Sequence, residues 1–202
     1  MVIHLEKKPT TSKAVPPLTA RPLDLLYAIF FAFHIPASIF LDLQYFYPKW
    51  AIPPFMRSLI PLYVQMSNDP LVGGLAGFFG DNSHLLWFKT FLYLEALFQV
   101  PVFFIGLYGL YKGSKSIYVL LIIYGASTAT TTLPCILYFL QVPRLASGVL
   151  ATPGVESLTT EQLILLLSSY IPFFLIPLLM AVDMAYRVLG LVKTGVKAEK
   201  WE

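Results

Sequence analysis

Charge is scarce in this chain. Of its 202 residues 12% are Asp, Glu, Lys or Arg and 57% are hydrophobic, with a mean hydropathy of +0.70. A soluble domain of that length needs more polar surface to cover its core, so an ordinary water-soluble fold is excluded and an integral membrane protein is indicated. Cysteine is nearly absent. Cys135 stands alone in an apolar run, where it cannot form an internal disulfide and reads as a buried structural thiol. No paired-histidine or cysteine spacing suggests a metal, and no cofactor is expected. A basic stretch interleaved with exposed aromatics is also missing, and the formal charge of +3 is spread over tails and short loops, which argues against a nucleic-acid partner. There is no internal repeat and no soluble domain.

What the sequence does contain is four long apolar runs. Roughly 20 apolar residues cross the hydrocarbon core as a helix, and the candidates are Leu23 to Phe46, Leu85 to Leu110, Ile117 to Leu140 and Leu163 to Val182. The expected fold is all-α, an integral membrane four-helix bundle over residues 21–191. It is flanked by a disordered tail at 1–20, containing Pro, Thr and Lys, and a short tail at 192–202. The first run is too long for a signal-peptide core and lacks a clear small-x-small cleavage site, so it reads as retained. Every span contains proline: Pro36, Pro101, Pro134, and the pair Pro172 and Pro177. Each removes a helical hydrogen bond and frees a carbonyl, so proline-kinked helices that splay around a cavity are expected. Ser127, Thr128, Thr130, Thr131 and Thr132, just before Pro134, suit either the freed backbone groups or helix packing.

Orientation follows from Lys and Arg counted by side. Lys7, Lys8, Lys13, Arg21, Lys112, Lys115, Arg187, Lys193, Lys197 and Lys200 fall on one side, and Lys49, Arg57, Lys89 and Arg144 on the other. The positive-inside rule places both termini in the cytosol, with Tyr45, Tyr47, Trp50 and Trp87 as interfacial anchors. The connection from Pro48 to His84 is too long for a turn. Phe55 to Met66 is expected as an interfacial helix, and Gly73, Gly74, Gly77 and Gly80 as a flexible lid or linker.

Two carboxylates stand inside the runs, Asp42 and Glu95. An ionisable group in a membrane span is costly unless it faces a protein interior, so it marks a functional site. Asp42 lies three residues inside Tyr45, about 5 Å, and Glu95 six inside Lys89, about 9 Å. Their depths match on consecutive antiparallel helices, so the side chains are expected to converge on one chamber and share a proton, carrying about one negative charge together. Such a site suits a ligand with one polar end and an apolar body: a cationic amine or a sterol hydroxyl. Phe30, Phe31, Phe33, Phe40, Phe91, Tyr93, Phe98, Phe103 and Phe104 are the candidate wall aromatics, a minority of them expected in the pocket. His34, Ser38 and Asp42 share one face by four-residue spacing, as do Glu95 and Gln99. His34 is either an acid or base or a packing hydrogen-bond donor. Asp183 and Arg187 read as a structural ion pair.

The runs Phe33-His34-Ile35-Pro36-Ala37-Ser38-Ile39-Phe40-Leu41-Asp42-Leu43-Gln44, Asp69-Pro70-Leu71, Trp87-Phe88-Lys89, Glu95-Ala96-Leu97-Phe98-Gln99-Val100-Pro101 and Tyr170-Ile171-Pro172-Phe173-Phe174-Leu175-Ile176-Pro177 resemble the sigma-2 receptor family. This is the EXPERA-domain group, whose fungal members are named efficient mitochondria targeting-associated protein. The resemblance covers about Arg21 to Arg187. It implies a four-helix protein of the endoplasmic reticulum membrane, often dimeric, with a pocket for sterols and cationic amphiphiles and a sterol-transport membrane protein as partner. In that reading Asp42 pairs with the ligand amine and Glu95 supports it. Asp69 orders the loop, and Gln99, Thr132, Tyr170 and Phe173 lie near the pocket with His34. Phe173 replaces a tyrosine of mammalian relatives.

The same superfamily includes sterol Δ8-Δ7 isomerases, which this chain is similar to at His34 and Glu95. Those enzymes carry a second acid where Ser38 stands, and an Asn and a Trp on the last span that this chain lacks. Three functions follow: a non-enzymatic sterol-binding receptor or trafficking regulator, which is the leading reading; a sterol isomerase; and a membrane-protein biogenesis factor that binds lipid incidentally.

Overall fold

The computed structural model describes residues 15–146, 149 and 155–199. Among the described residues, four helical segments are long and apolar enough to cross a membrane: Pro22–Phe46, Ser83–Lys112, Lys115–Gln141 and Thr160–Glu199. The chain is an all-helical multi-pass membrane protein. Its only strand-like pairing among the described residues is an isolated bridge between Arg144 and Leu158. The expected disordered tail lies outside the described residues up to position 14. Leu18–Ala20 forms a short 3-10 turn, and Leu18 packs on the core.

The first span is α1 (Pro22–Phe40), with Pro22 in its first turn, where a missing N–H costs nothing. The helix ends at Phe40, and a 3-10 turn, Asp42–Phe46, completes the span. The connection expected as one interfacial helix forms α2 (Pro54–Arg57) and α3 (Leu59–Ser67), divided at Ser58. Asn68 then turns the chain in the left-handed region at φ 49° and α4 (Pro70–Leu75) follows. Here the expected flexible lid is a packed element. Gly73 and Gly74 are buried in α4, and a Cβ on them would lie 2.6 Å from Phe79 and 2.5 Å from Leu85. Glycine serves close approach at these two positions, not mobility.

The second span comprises α5 (Leu86–Leu94) and α6 (Val100–Lys112), the third is α7 (Tyr118–Gln141) and the fourth α8 (Thr160–Glu199). α8 continues through residues 192–199, expected as a tail. α1 packs on α6, and α7 on α8. Lipid offers no hydrophobic drive for helices to associate, so close van der Waals contact carries the load and small residues let backbones approach. Gly125 of α7 faces the Pro177 carbonyl and Ala181 of α8. Gly106 of α6 faces the Phe31 ring.

Two clusters of buried side chains result. One, at the end of the bundle where α1 begins and α8 leaves, includes Tyr27, Phe31, Phe103, Leu121, Tyr124 and Met180. The other, on the loop side, includes Leu71, Leu85, Phe88, Phe139, Leu158 and Leu166. The α7–α8 connection is fastened to it. Asn68 Nδ2 donates to the Ser157 carbonyl at 2.6 Å, the Tyr138 hydroxyl donates to Glu156 at 2.7 Å, and His84 Nε2 lies 3.2 Å from Glu156. At the opposite end the expected Asp183–Arg187 pair, at 2.7 Å, belongs to a larger network. Arg187 also reaches buried Asp24 at 2.6 Å, Asp24 meets Arg21 at 2.5 Å, and Tyr27 donates to Asp183 at 3.2 Å.

The glycine contacts generate a graded prediction. A methyl at Gly125 meets backbone that cannot yield, whereas one at Gly106 meets a ring 2.7 Å away that can turn. Gly125→Ala is expected to lower stability by about 1–3 kcal/mol, the usual cost of overpacking, and Gly106→Ala by less. Thermal unfolding in detergent checks the order.

Candidate functional site

The second span departs from regular helix at one turn. Pro101 has no N–H to offer the Leu97 carbonyl. Immediately before it the backbone widens into a π turn, Glu95–Gln99, in which Val100 N–H reaches the Glu95 carbonyl. Single π turns inside helices recur at functional sites. Glu95 and Gln99 open and close this one, and both line a cavity of about 280 Å³.

α1 supplies the facing wall. Ser38, fully buried, donates its hydroxyl hydrogen bond to Glu95 Oε1, and His34 Nε2 lies 3.9 Å from the same oxygen. The His34 ring stacks on Phe103 and meets Phe173 edge-on, each at 4.5 Å between centroids. The four-residue stripe expected for His34, Ser38 and Asp42 holds for the first two. Asp42 has left the helix: α1 stops at Phe40, and Asp42 opens the 3-10 turn. The last carbonyls of α1 are satisfied from beyond its end. Gln44 Nε2 donates to the Phe40 carbonyl, and the Tyr47 hydroxyl to that of Ile39 at 3.1 Å.

Asp42 lines the same cavity as Glu95, and its carboxylate accepts no hydrogen bond among the described residues. The two acids face one chamber without a hydrogen bond between them; Ser38 is what holds Glu95. The other residues expected at the site, His34, Gln99, Thr132, Tyr170 and Phe173, also line the cavity. Two buried polar atoms of lining residues, His34 Nδ1 and Thr128 Oγ1, have no partner among the described residues. The threonines before Pro134 serve their own helix: Thr131 and Thr132 donate to the Thr128 carbonyl at 3.1 and 2.8 Å. The lining therefore mixes acceptors and unused polar atoms with apolar walls.

Asp69 does not line the cavity. It caps α4, with Oδ1 accepting from Leu71 and Val72 N–H at 2.8 and 3.0 Å, while Oδ2 accepts from the Tyr63 and Tyr170 hydroxyls at 2.8 and 3.0 Å. Tyr63 and Tyr170 are cavity walls, so the cap fixes two of them. Burial pushes the Asp69 carboxyl above its ordinary value, with the four donors pulling the other way. Burial first, and then the Asp69 charge, raise the Tyr63 hydroxyl.

The wall aromatics are a minority of those named. Of the nine named, Phe91 alone lines the cavity; Phe31 and Phe103 are buried core and Phe33 is 74% exposed on the outer surface. Phe88, Tyr63, Tyr170 and Phe173 supply the rest. Helix rotation decides this, and all-round apolar helices carry no periodic signal of it. Ser38 as the partner of Glu95, and Tyr63 as both wall and donor to Asp69, were missed. Four-residue spacing marked the face of Ser38 but not what it meets across the bundle, and nothing in the sequence marked Tyr63.

These features define a membrane protein with an intramembrane cavity lined by two acids. The family comparison agrees: the model described as EXPERA (EXPanded EBP superfamily) matches residues 55–184. The protein named sigma intracellular receptor 2 is 35% identical in Homo sapiens and 31% identical in Xenopus tropicalis, each over 170 residues, covering 83% of this chain and 90% of the relative. Efficient mitochondria targeting-associated protein 19 of Schizosaccharomyces pombe is 26% identical over 174 residues, covering 85% of this chain and 80% of that protein. The chain belongs to the EXPERA family.

The Asp69 cap yields two expected results. Asp69→Ala removes a helix cap and leaves two tyrosine hydroxyls unpaired, for a loss of about 2 kcal/mol or more, with Asp69→Asn costing less because its carbonyl still accepts from α4. Because the folded chain holds the Asp69 proton more tightly than the unfolded chain, stability from this group falls as pH rises from the ordinary value of 3.8 to the raised one, and is level above it. Asp69→Asn flattens that slope. Denaturation midpoints of the three proteins across pH measure both.

Proposed function

We propose that this protein binds cationic amphiphiles and sterols within the membrane and acts as a receptor or trafficking regulator, not as an enzyme. The observation that carries the reading is the Asp42 carboxylate, which borders the cavity without a donor of its own. An acid in that position is stabilised by a cation or a hydroxyl brought by the ligand. Glu95, held by Ser38, supports it with a second oxygen, and Gln99, Thr132, Tyr170, Phe173 and His34 supply the surrounding contacts. The relatives named as receptors favour this class. Residence in the endoplasmic reticulum with both termini cytosolic, a homodimer and a sterol-transport membrane protein as partner belong to the same proposal.

The isomerase reading has less support. Ser38 stands where those enzymes carry a second acid, and its hydroxyl is already given to Glu95. His34 lies 3.9 Å from Glu95, and its ring is wedged between Phe103 and Phe173. Acid–base geometry tolerates little displacement, so Asp42 on its 3-10 turn is a poor substitute.

Asp42→Asn and Glu95→Gln are each expected to weaken a cationic amphiphile by about tenfold or more, roughly 1.4 kcal/mol. Equilibrium binding to purified protein measures this, and unchanged affinity removes the assignment. Restoration of sterol synthesis by this chain in cells lacking the isomerase would replace the receptor reading with the enzymatic one.

A further inference from the structure

The last helix is longer than a bilayer is thick. From Thr160 to Arg187 α8 rises about 42 Å, which already matches a membrane together with its headgroups. Residues 188–199 carry it about 18 Å further, past the Arg21, Asp24, Asp183 and Arg187 network that closes this end of the bundle. From Leu189 to Glu199 every residue is exposed, and no other element among the described residues covers the extension.

This extension is ill suited to standing free in water. Leu178, Val182, Ala185, Leu189, Val192 and Val196 are all exposed and recur at three- and four-residue spacing. They form one stripe, which faces acyl chains as far as Val182 and would face water from Leu189 on. Three valines, a threonine and two glycines also make residues 188–199 a poor unsupported helix. Gly190 and Gly195 do not serve close packing, since a Cβ on either would meet nothing within 4 Å. Gly190 leaves the backbone free to bend just beyond the ion pairs of Arg187.

We propose that residues 190–199 fold onto the bilayer as an interfacial helix that binds the headgroups of anionic phospholipids. A bend at Gly190 toward the stripe needs no rotation about the helix axis, because the stripe is already on the lipid side. It sets Val192 and Val196 at the acyl boundary. Lys193 and Lys197, four residues apart, are the cations this brings to the phosphates, their stems lying along the apolar surface. Glu199 is the one acid in the segment. A second copy of the chain on the same stripe would bring two more lysines with a single further acid, whereas anionic lipid supplies the opposite charge.

The test uses the full chain in nanodiscs of phosphatidylcholine alone, or of phosphatidylcholine and phosphatidylserine in equal parts. A nitroxide is attached at Val192→Cys, Val196→Cys, Thr194→Cys or Ala198→Cys, all exposed positions beyond Arg187, with buried Cys135 left in place. Power saturation compares relaxation by oxygen, which concentrates in lipid, with relaxation by a water-soluble nickel chelate. In discs with phosphatidylserine, labels at positions 192 and 196 are expected to favour oxygen, and those at 194 and 198, on the opposite face, to favour nickel. Two lysines are expected to raise the ratio of docked to free segment about thirtyfold over phosphatidylcholine alone. Lys193→Glu with Lys197→Glu removes that difference. Nickel access at all four positions with phosphatidylserine, equal oxygen access in both discs, or a difference that survives the double lysine change overturns the proposal. Dipolar broadening at 192 and 196 without oxygen access overturns it too, and gives the stripe to a second copy.

Discussion

A carboxyl group at membrane depth needs a partner supplied by the fold, because lipid supplies none. Here that requirement is met by the hydrogen bond from Ser38 to Glu95, which joins the first span to the second at the point where each departs from its regular course. Around it the geometry is tightly linked. Pro101 and the π turn set where Glu95 emerges, Ser38 receives it, and the His34 ring closes the gap against Phe103 and Phe173. With Glu95 anchored in this way, Asp42 is the acid left facing open space.

The loop side is organised by a second acid in a different role. Asp69 accepts hydrogen bonds from α3, α4 and α8 at once. One side chain thereby ties the extramembrane helices to the last span and holds the tyrosines that wall the cavity. At the far end of the bundle, Arg21, Asp24, Asp183 and Arg187 form a network with two charges of each sign. Breaking a buried pair leaves an uncompensated charge, so such networks favour one arrangement of the helices over alternatives of similar packing. The three acidic sites thus divide the work: one end is locked by balanced charge, the other by a cap, and the middle keeps an acid in reserve.

Much of this was legible in the residues. Hydropathy alone located the four spans, and the cost of an acid in lipid singled out Asp42 and Glu95, which do line one chamber. The pairing at Asp183 and Arg187 followed from spacing, but its extension to Asp24 and Arg21 did not, because those contacts join elements far apart in the chain. Glycine was misleading for a related reason. Gly73 and Gly74 look like flexible linker when only local preference is weighed, yet the missing side chains make room for Phe79 and Leu85. The exit of Asp42 from helix was hidden as well, since it depends on Gln44 and Tyr47 folding back to take the final carbonyls of α1.

The π turn has a consequence for how this span tolerates insertion and deletion. It holds one residue more than an α turn, so α6 is rotated by about 100° from where an unbroken continuation of α5 would carry it. Loss of a single residue between Glu95 and Gln99 would let an ordinary helix form and leave Val102, Phe103 and Gly106 facing α1, because the residue removed and the wide turn removed cancel in phase. What such a loss would disturb is the presentation of Glu95 and Gln99 to the cavity, whereas a deletion elsewhere in α5 or α6 would leave the turn in place and rotate one half-helix against the other.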